Sequence, residues 1–177
     1  MLSEYYPFEY VESVFSIDYA KLYYKGCRGI IFDIDNTLVP HGADSTPEVD
    51  ELFRTIHGIG IKTVLLSDNT DERIERFLQN IDSPYISDAG KPDPAAFIRA
   101  VDVLGLDKGE VVVIGDQVFS DIKGANAAGI ASILVKYIGY YDKAKKGKKR
   151  QLESVILGFY GRSRLQHRLG GIESEER

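Results

Sequence analysis

The chain is poor in the residues that staple a fold or ligate soft metals. It has one cysteine, Cys27, in 177 residues, which excludes an internal disulfide and is compatible with a reducing compartment. That lone thiol reads as a small apolar core residue. A Cys-x5-Arg anion-binding loop starting at Cys27 would need Arg at position 33, which is Asp. The three histidines, His41, His57 and His167, are scattered, which argues against a zinc centre. No Gly-x-x-x-x-Gly-Lys-[Ser/Thr] loop occurs, which argues against a nucleoside triphosphatase of that type. No run approaches the ~18 apolar residues that a spanning helix needs. The opening Met1-Leu2-Ser3-Glu4-Tyr5-Tyr6 lacks a basic n-region and an apolar h-region, so no signal peptide is expected. A cytoplasmic location is the default expectation.

What is there suits one soluble domain, with 44% hydrophobic and 28% charged residues. The length is enough to bury a core without staples. The net charge is −5, yet residues 141–168 carry nine Lys or Arg and only two acids, Asp142 and Glu153. The densest part is Lys143, Lys145, Lys146, Lys148, Lys149 and Arg150. One reading is a solvated surface segment. The other is peripheral docking to an anionic membrane, where each basic residue near the surface contributes ~1 kcal/mol. The acidic remainder disfavours nucleic acid as a partner. The sequence leaves an oligomer open.

Residues 1–27 form an aromatic-rich lead-in with Tyr5, Tyr6, Phe8, Tyr10, Phe15, Tyr19, Tyr23 and Tyr24. Val11, Val14, Phe15, Tyr19 and Leu22 approximate helical spacing, so a short helical element packed on the domain is expected. An interfacial element is the alternative. Glu4, Glu9, Glu12 and Asp18 weigh against an anionic surface there. Residues 28–140 hold the expected catalytic domain, and residues 141–177 a basic segment, expected as a packed helix plus a mobile tail. Within the middle region, Gly29–Phe32, Ile61–Leu66, Pro84–Ser87, Glu110–Ile114 and Ala131–Val135 read as strands. Helices are expected over Pro47–His57 (capped by Thr46, ended by Gly58), from Thr70 to about Asn80, over Pro94–Leu104 and over about Phe119–Ala128. Strands alternating with helices at this spacing predict an α/β fold, a three-layer, doubly wound parallel sheet.

The most informative segment is Phe32-Asp33-Ile34-Asp35-Asn36-Thr37-Leu38. It places two carboxylates and a hydroxyl, each two residues apart, at the carboxyl end of a buried strand. Open α/β sheets bind ligands there. Two such close acids repel unless a cation sits between them. Two blander readings exist. The run could be a polar turn after a strand. It could be a calcium loop, but position 6 would be Leu38 where Gly is needed and position 12 Asp44 where Glu is expected. The other polar clusters also follow strands: Ser67, Lys91, and Asp116 with Asp121. Right-handed crossovers bring all these strand ends to one edge, so four clusters converge on one site.

The residue types match phosphoryl transfer, which needs a nucleophile, a metal and positive groups for the phosphoryl oxygens. Asp33 would attack phosphorus in line and form an aspartyl-phosphate. Asp35 would protonate the leaving alkoxide and then take a proton from the hydrolytic water. Thr37 would hold Asp35 and the loop. Ser67 would donate to one phosphoryl oxygen and Lys91 would pair with another. Asp33, Asp116 and Asp121 would hold Mg²⁺. His41, Asp44 and Asn69 are the nearest polar candidates for shaping substrate binding; loop solvation and helix capping explain them equally well.

These motifs resemble the haloacid dehalogenase (HAD) superfamily of phosphohydrolases: Asp33-x-Asp35-x-Thr37, Ser67, Lys91 in Gly90-Lys91-Pro92, and Gly115-Asp116-x4-Asp121. The likeness covers roughly residues 28–136. It implies a HAD-like Rossmannoid sheet and a Mg²⁺ ligand in the Asp35 backbone carbonyl. Ser16-Ile17-Asp18-Tyr19-Ala20-Lys21-Leu22, Ser67-Asp68-Asn69 and Gly115-Asp116-Gln117 are similar to the YqeG family, a subfamily IIIA group. That family is similar to mitochondrial and plastid phosphatidylglycerophosphate phosphatases, which implies a lipid-borne phosphomonoester. Soluble sugar or nucleotide phosphates are the alternative substrates, and a regulatory phosphate-binding protein the alternative class. In response-regulator receivers the phosphorylated Asp comes later in the chain, which disfavours the last. Many HAD enzymes insert a cap domain, but the gaps Thr37–Ile61 and Ser67–Lys91 have no room for one, so an open site is expected.

Overall fold

Six short strands pair into one sheet in a computed structural model that describes residues 2–139 and 147–175. The strands are β1 (Glu9–Val11), β2 (Gly29–Phe32), β3 (Lys62–Leu66), β4 (Tyr85–Ile86), β5 (Val111–Gly115) and β6 (Ala131–Val135). The helices are α1 (Tyr19–Tyr24), α2 (Pro47–Ile59), α3 (Asp71–Phe77), α4 (Pro94–Leu104), α5 (Lys123–Ala128) and α6 (Lys148–Tyr160). Every pairing is parallel and the order is β1-β6-β5-β2-β3-β4. The chain therefore builds outward from β2 through β3 and β4. It then returns to β5 on the other flank of β2. That reversal opens a crevice at the carboxyl ends of β2 and β5.

The central strands are buried on both faces, as crossover helices require. Ile30 and Phe32 of β2 face Val49, Phe53 and Ile56 of α2, together with Ile74 and Phe77 of α3. Ile31 faces the other way, toward Ala96, Phe97, Ala100 and Val101 of α4 and Ala125 of α5. This is the two-residue period of a strand. Each large apolar side chain so buried contributes roughly 1.5–3 kcal/mol. Gly124 lets α5 lie directly on α4, since a Cβ there would meet Phe97 Cε2 at 2.1 Å.

Helix starts follow the capping chemistry. Thr46 Oγ1 accepts from Val49 N at 3.3 Å with Pro47 in the first turn, and Asp93 accepts from Ala95 N at 3.0 Å ahead of Pro94. Some boundaries differ from expectation. α2 runs past Gly58 and ends at Gly60, whose φ of 103° only glycine adopts without strain. α3 ends at Phe77, three residues short of Asn80. Val118–Ile122 forms a π-helical turn before α5.

The two ends of the chain differ more. The lead-in was expected as a helical element, but it also contributes β1, an edge strand paired with β6. The tail expected to be mobile is instead laid down against that lead-in as far as residue 175. Asp18 N donates to Ile172 O at 2.7 Å and Ser174 N to Ser16 O at 2.8 Å. The buried Glu9 carboxylate accepts from Leu169 N, Gly171 N and His167 Nδ1. Of the basic tract, Lys143, Lys145 and Lys146 lie outside the described residues. Lys148 and Lys149 are exposed, while Arg150 turns inward. No helix among the described residues is long and apolar enough to cross a membrane. Only a loop and α2 separate Thr37 from β3, and only α3 and β4 separate Ser67 from Lys91, so no inserted cap covers the crevice among the described residues.

Candidate active site

The chain leaves β2 with Asp33 N still donating to Ile114 O of β5 at 3.0 Å. It then curls back on itself. Asn36 takes the left-handed conformation (φ 63°), which Asn tolerates better than most residues. Thr37 N and Leu38 N then both donate to Ile34 O. The turn brings Thr37 Oγ1 within 2.9 Å of Asp33 Oδ2 and 3.2 Å of Asp116 Oδ1. One hydroxyl thus bridges two carboxylates from different strands.

Asp33, Asp116 and Asp121 are all buried, and one carboxylate oxygen from each lies within 4.8 Å of the others. The π-helical turn after β5 folds Asp121 back beside Asp116, where Gln117 N donates to Asp121 Oδ2 at 3.1 Å. Glycine is required at 115 for this approach, because a Cβ there would lie 2.4 Å from Asp121 Cγ. Lys91 Nζ sits between the strand ends, 2.7 Å from Asp33 Oδ1 and 2.8 Å from Asp121 Oδ1, with its side chain 4% exposed. Asp68 Oδ1 fixes the loop by accepting from Lys91 N at 3.0 Å.

Asp33 and Asp121 therefore share one buried ammonium, while Asp116 pairs with the guanidinium of Arg150. Burial, reinforced by Asp116, holds the Asp33 carboxyl above the ordinary range despite Lys91. Burial and then Asp121 raise Asp116 against the pull of Arg150. Burial takes Asp121 to about 6 even though Lys91 opposes it. Lys91 itself is desolvated, but Asp121 and Asp33 more than compensate and keep it protonated. Surplus negative charge on hard oxygen donors is what a divalent cation of the Mg²⁺ type would neutralise. The donor set fits such an ion.

The Asp35 carboxylate stands apart from this trio. Its Oδ2 accepts from Asn69 Nδ2 at 2.6 Å, and its Oδ1 accepts from Gly42 N and Arg73 Nη2, both at 2.9 Å. Burial alone would raise Asp35, but these three donors outweigh it and hold the carboxyl low. Asn69 also donates to Ser67 Oγ at 2.8 Å, by way of its side chain. Ser67 is thereby tied to Asp35 while keeping its own proton to donate. Every residue expected at the site reaches this crevice. The exceptions are Asp44, which pairs with Arg76 outside it, and His41, whose side chain is 78% exposed and 3.8 Å from Asp35.

Sequence reasoning missed Arg73 and Arg150. Arg73 clasps the loop after β2 by pairing with Asp35 and donating to Ala43 O at 2.7 Å. Its Nε and Nη1 are buried without partners. Arg150 reaches from α6 to Asp116, donating to the carboxylate at 2.5 Å and to the carbonyl at 2.9 Å. Glu153 ties the same helix down, accepting from Val118 N and Arg150 Nη1. Only the wrong charge balance of Asp33, Asp116 and Asp121 against Lys91 could have signalled a further cation.

Fold and site together define a haloacid dehalogenase-like hydrolase. The family model of that description matches residues 41–129, which take in Ser67, Lys91, Asp116 and Asp121. The chain is 38% identical over 152 residues to "Probable phosphatase YqeG" of Bacillus subtilis (strain 168), covering 85% of this chain and 88% of that one. A shorter stretch of 52 residues is 40% identical to the glyceraldehyde 3-phosphate phosphatase of Methanopyrus kandleri, covering 29% of this chain and 22% of that one. Among solved structures, an uncharacterized protein from Corynebacterium glutamicum superposes with a TM-score of 0.51 at 25% identity, covering 85% of this chain and all (100%) of that one. The chain belongs to the haloacid dehalogenase-like hydrolase family, and within it is a YqeG-type phosphatase.

Proposed function

We propose that the protein hydrolyses a phosphomonoester through an aspartyl-phosphate on Asp33, with Mg²⁺ as cofactor. The observation that carries this reading is the position of Asp33. It is buried at the switch point, bonded to Thr37 and Lys91, and beside Asp116 and Asp121. Asp33, Asp116 and Asp121, with the Asp35 carbonyl, would hold the ion, which supplies neutralising charge at the phosphoryl oxygens. Asp33 attacks phosphorus as the bond to the leaving alkoxide breaks, and Asp35 gives that alkoxide its proton. Water then attacks the aspartyl-phosphate, Asp35 takes the proton back, and Asp33 and inorganic phosphate are released. Approach of the phosphate dianion raises Asp35 toward its acid form, while Asn69, Gly42 and Arg73 return it to the base form. Ser67 and Lys91 hold phosphoryl oxygens, and Asn69 sets Ser67.

For the substrate we favour a lipid-borne phosphomonoester such as phosphatidylglycerophosphate, at a peripheral membrane contact. The uncapped crevice and the YqeG likeness support it. The likeness to a glyceraldehyde 3-phosphate phosphatase favours a soluble ester as the second reading. Phosphate release from phosphatidylglycerophosphate in mixed micelles, beside a panel of soluble phosphomonoesters, separates them. Lipid preference abolished in Asp33→Asn is the expected result. Release from soluble esters alone would discard the lipid, and release indifferent to Asp33→Asn would discard the mechanism.

A further inference from the structure

The outer face of α6 presents an apolar stripe that the fold does not use. Leu152 is 52% exposed, Val155 55% and Phe159 53%. At about 100° per residue they fall within a single arc of roughly 60°. The adjoining face, roughly 90° round the helix, carries the packing: Ile156 and Tyr160 are buried against Tyr6, Val118, Ile122 and Leu134. Lys148 continues the stripe one turn before Leu152, and Arg162 is exposed two residues beyond the helix. Lys149 is on the packed side, where its Nζ donates to Gln117 Oε1 at 3.4 Å. The helix has one acid, Glu153, which is buried and satisfied by Val118 N and Arg150.

We infer that this face of α6 docks on an anionic lipid surface, with Leu152, Val155 and Phe159 entering the headgroup boundary and Lys148 and Arg162, at the two ends of the stripe, meeting its charge. A helix with an apolar stripe between cations binds such a surface by both contributions. Charge decides against a second copy as the occupant. Antiparallel pairing of two α6 helices would set Lys148 against Arg162, and parallel pairing would set like residues together. Either arrangement opposes like charges, whereas anionic lipid complements both cations. The arrangement also orients the enzyme. Arg150 reaches Asp116 from a position two residues before Leu152, about 3 Å along the axis. Arg150 leaves α6 on the side away from the stripe, so a docked stripe holds Asp116 one helix diameter, roughly 10 Å, from the membrane surface. Only this orientation rests on the lipid-phosphate reading.

The test is flotation of the full chain with vesicles of equal parts phosphatidylglycerol and phosphatidylcholine, against phosphatidylcholine alone. Each basic residue near the surface is worth about fivefold in binding. Val155→Ser with Phe159→Ser, and separately Lys148→Glu with Arg162→Glu, should each weaken binding at least about tenfold. Both variants should keep wild-type turnover of a soluble phosphomonoester, which shows that they fold. Failure of the wild type to float with anionic vesicles, or unchanged binding by both variants, overturns the inference. A solution dimer lost in the Val155→Ser/Phe159→Ser variant, with no vesicle binding, reassigns the stripe to a second copy. Failure of the phosphatase reading would show separately, as no Asp33-dependent turnover of any ester whatever the vesicles do.

Discussion

Replacing Asp121 by Asn should make the metal-free protein more stable and inactive. Asp121 is fully buried, and its carboxyl is raised from 3.8 to about 6. At 1.36 kcal/mol per unit, keeping it ionised at neutral pH opposes folding by about 3 kcal/mol. The amide is nearly isosteric and removes that term. It can still accept from either Lys91 or Gln117 N, but not both, and a lost hydrogen bond returns about 1 kcal/mol. The net gain is about 1–2 kcal/mol, read as a higher urea midpoint at unchanged slope in chelator-treated buffer. The pH dependence checks the cause. A raised folded-state carboxyl binds its proton between about pH 4 and pH 6, where the unfolded carboxyl has already lost its own. Wild-type stability should therefore fall as pH rises through that window, and Asp121→Asn should remove that part of the slope. Added Mg²⁺ should stabilise the wild type by mass action and the variant less. A variant destabilised by more than about 1 kcal/mol at neutral pH, or one that keeps the wild-type slope between pH 4 and 6, would refute the reasoning.

Lys91→Met should act in the opposite direction, since it leaves Asp33 and Asp121 buried without their shared cation. A loss of about 3–5 kcal/mol in urea denaturation is expected, with hydrolysis abolished. Gly115→Ala pushes a methyl to 2.4 Å from Asp121 Cγ. A Mg²⁺ requirement raised at least about tenfold in activity and thermal-shift titrations is expected, because a displaced ligand weakens the ion more than the fold.

The core and most of the site were legible because both are local patterns. Runs such as Ile30-Ile31-Phe32 and Val111-Val112-Val113-Ile114 are apolar throughout, as strands buried on two faces must be. Asp33, Ser67 and Asp116 follow such runs directly, and Lys91 and Asp121 lie five and six residues past a strand end. What was illegible depends on partners far along the chain. β1 begins at Glu9, a poor strand former, and its buried carboxylate is satisfied by Leu169 N and Gly171 N, some 160 residues away. Arg73 sits on the polar side of a surface helix by spacing alone; only the loop after β2 encloses it. Arg150 closes a run of cations that reads as solvated, and nothing local distinguishes it from Lys148 or Lys149. Gly58 and Gly60 are equivalent as helix stops in sequence, and the choice falls on the one whose amide reaches both Ile56 O and His57 O.

The carboxylates at the switch point are unfavourable for folding, and the architecture compensates from three directions. Lys91 arrives from the loop after β4, Thr37 from the turn after β2, and Arg150 from α6 in the outer layer. The Arg150 contact matters most for how the protein is organised. It joins Asp116 to a helix whose far face carries an exposed apolar stripe, so the outer layer is tied directly to the acid trio. Glu153 strengthens the joint, since it binds both Arg150 and the backbone amide of Val118 that opens the π-helical turn carrying Asp121.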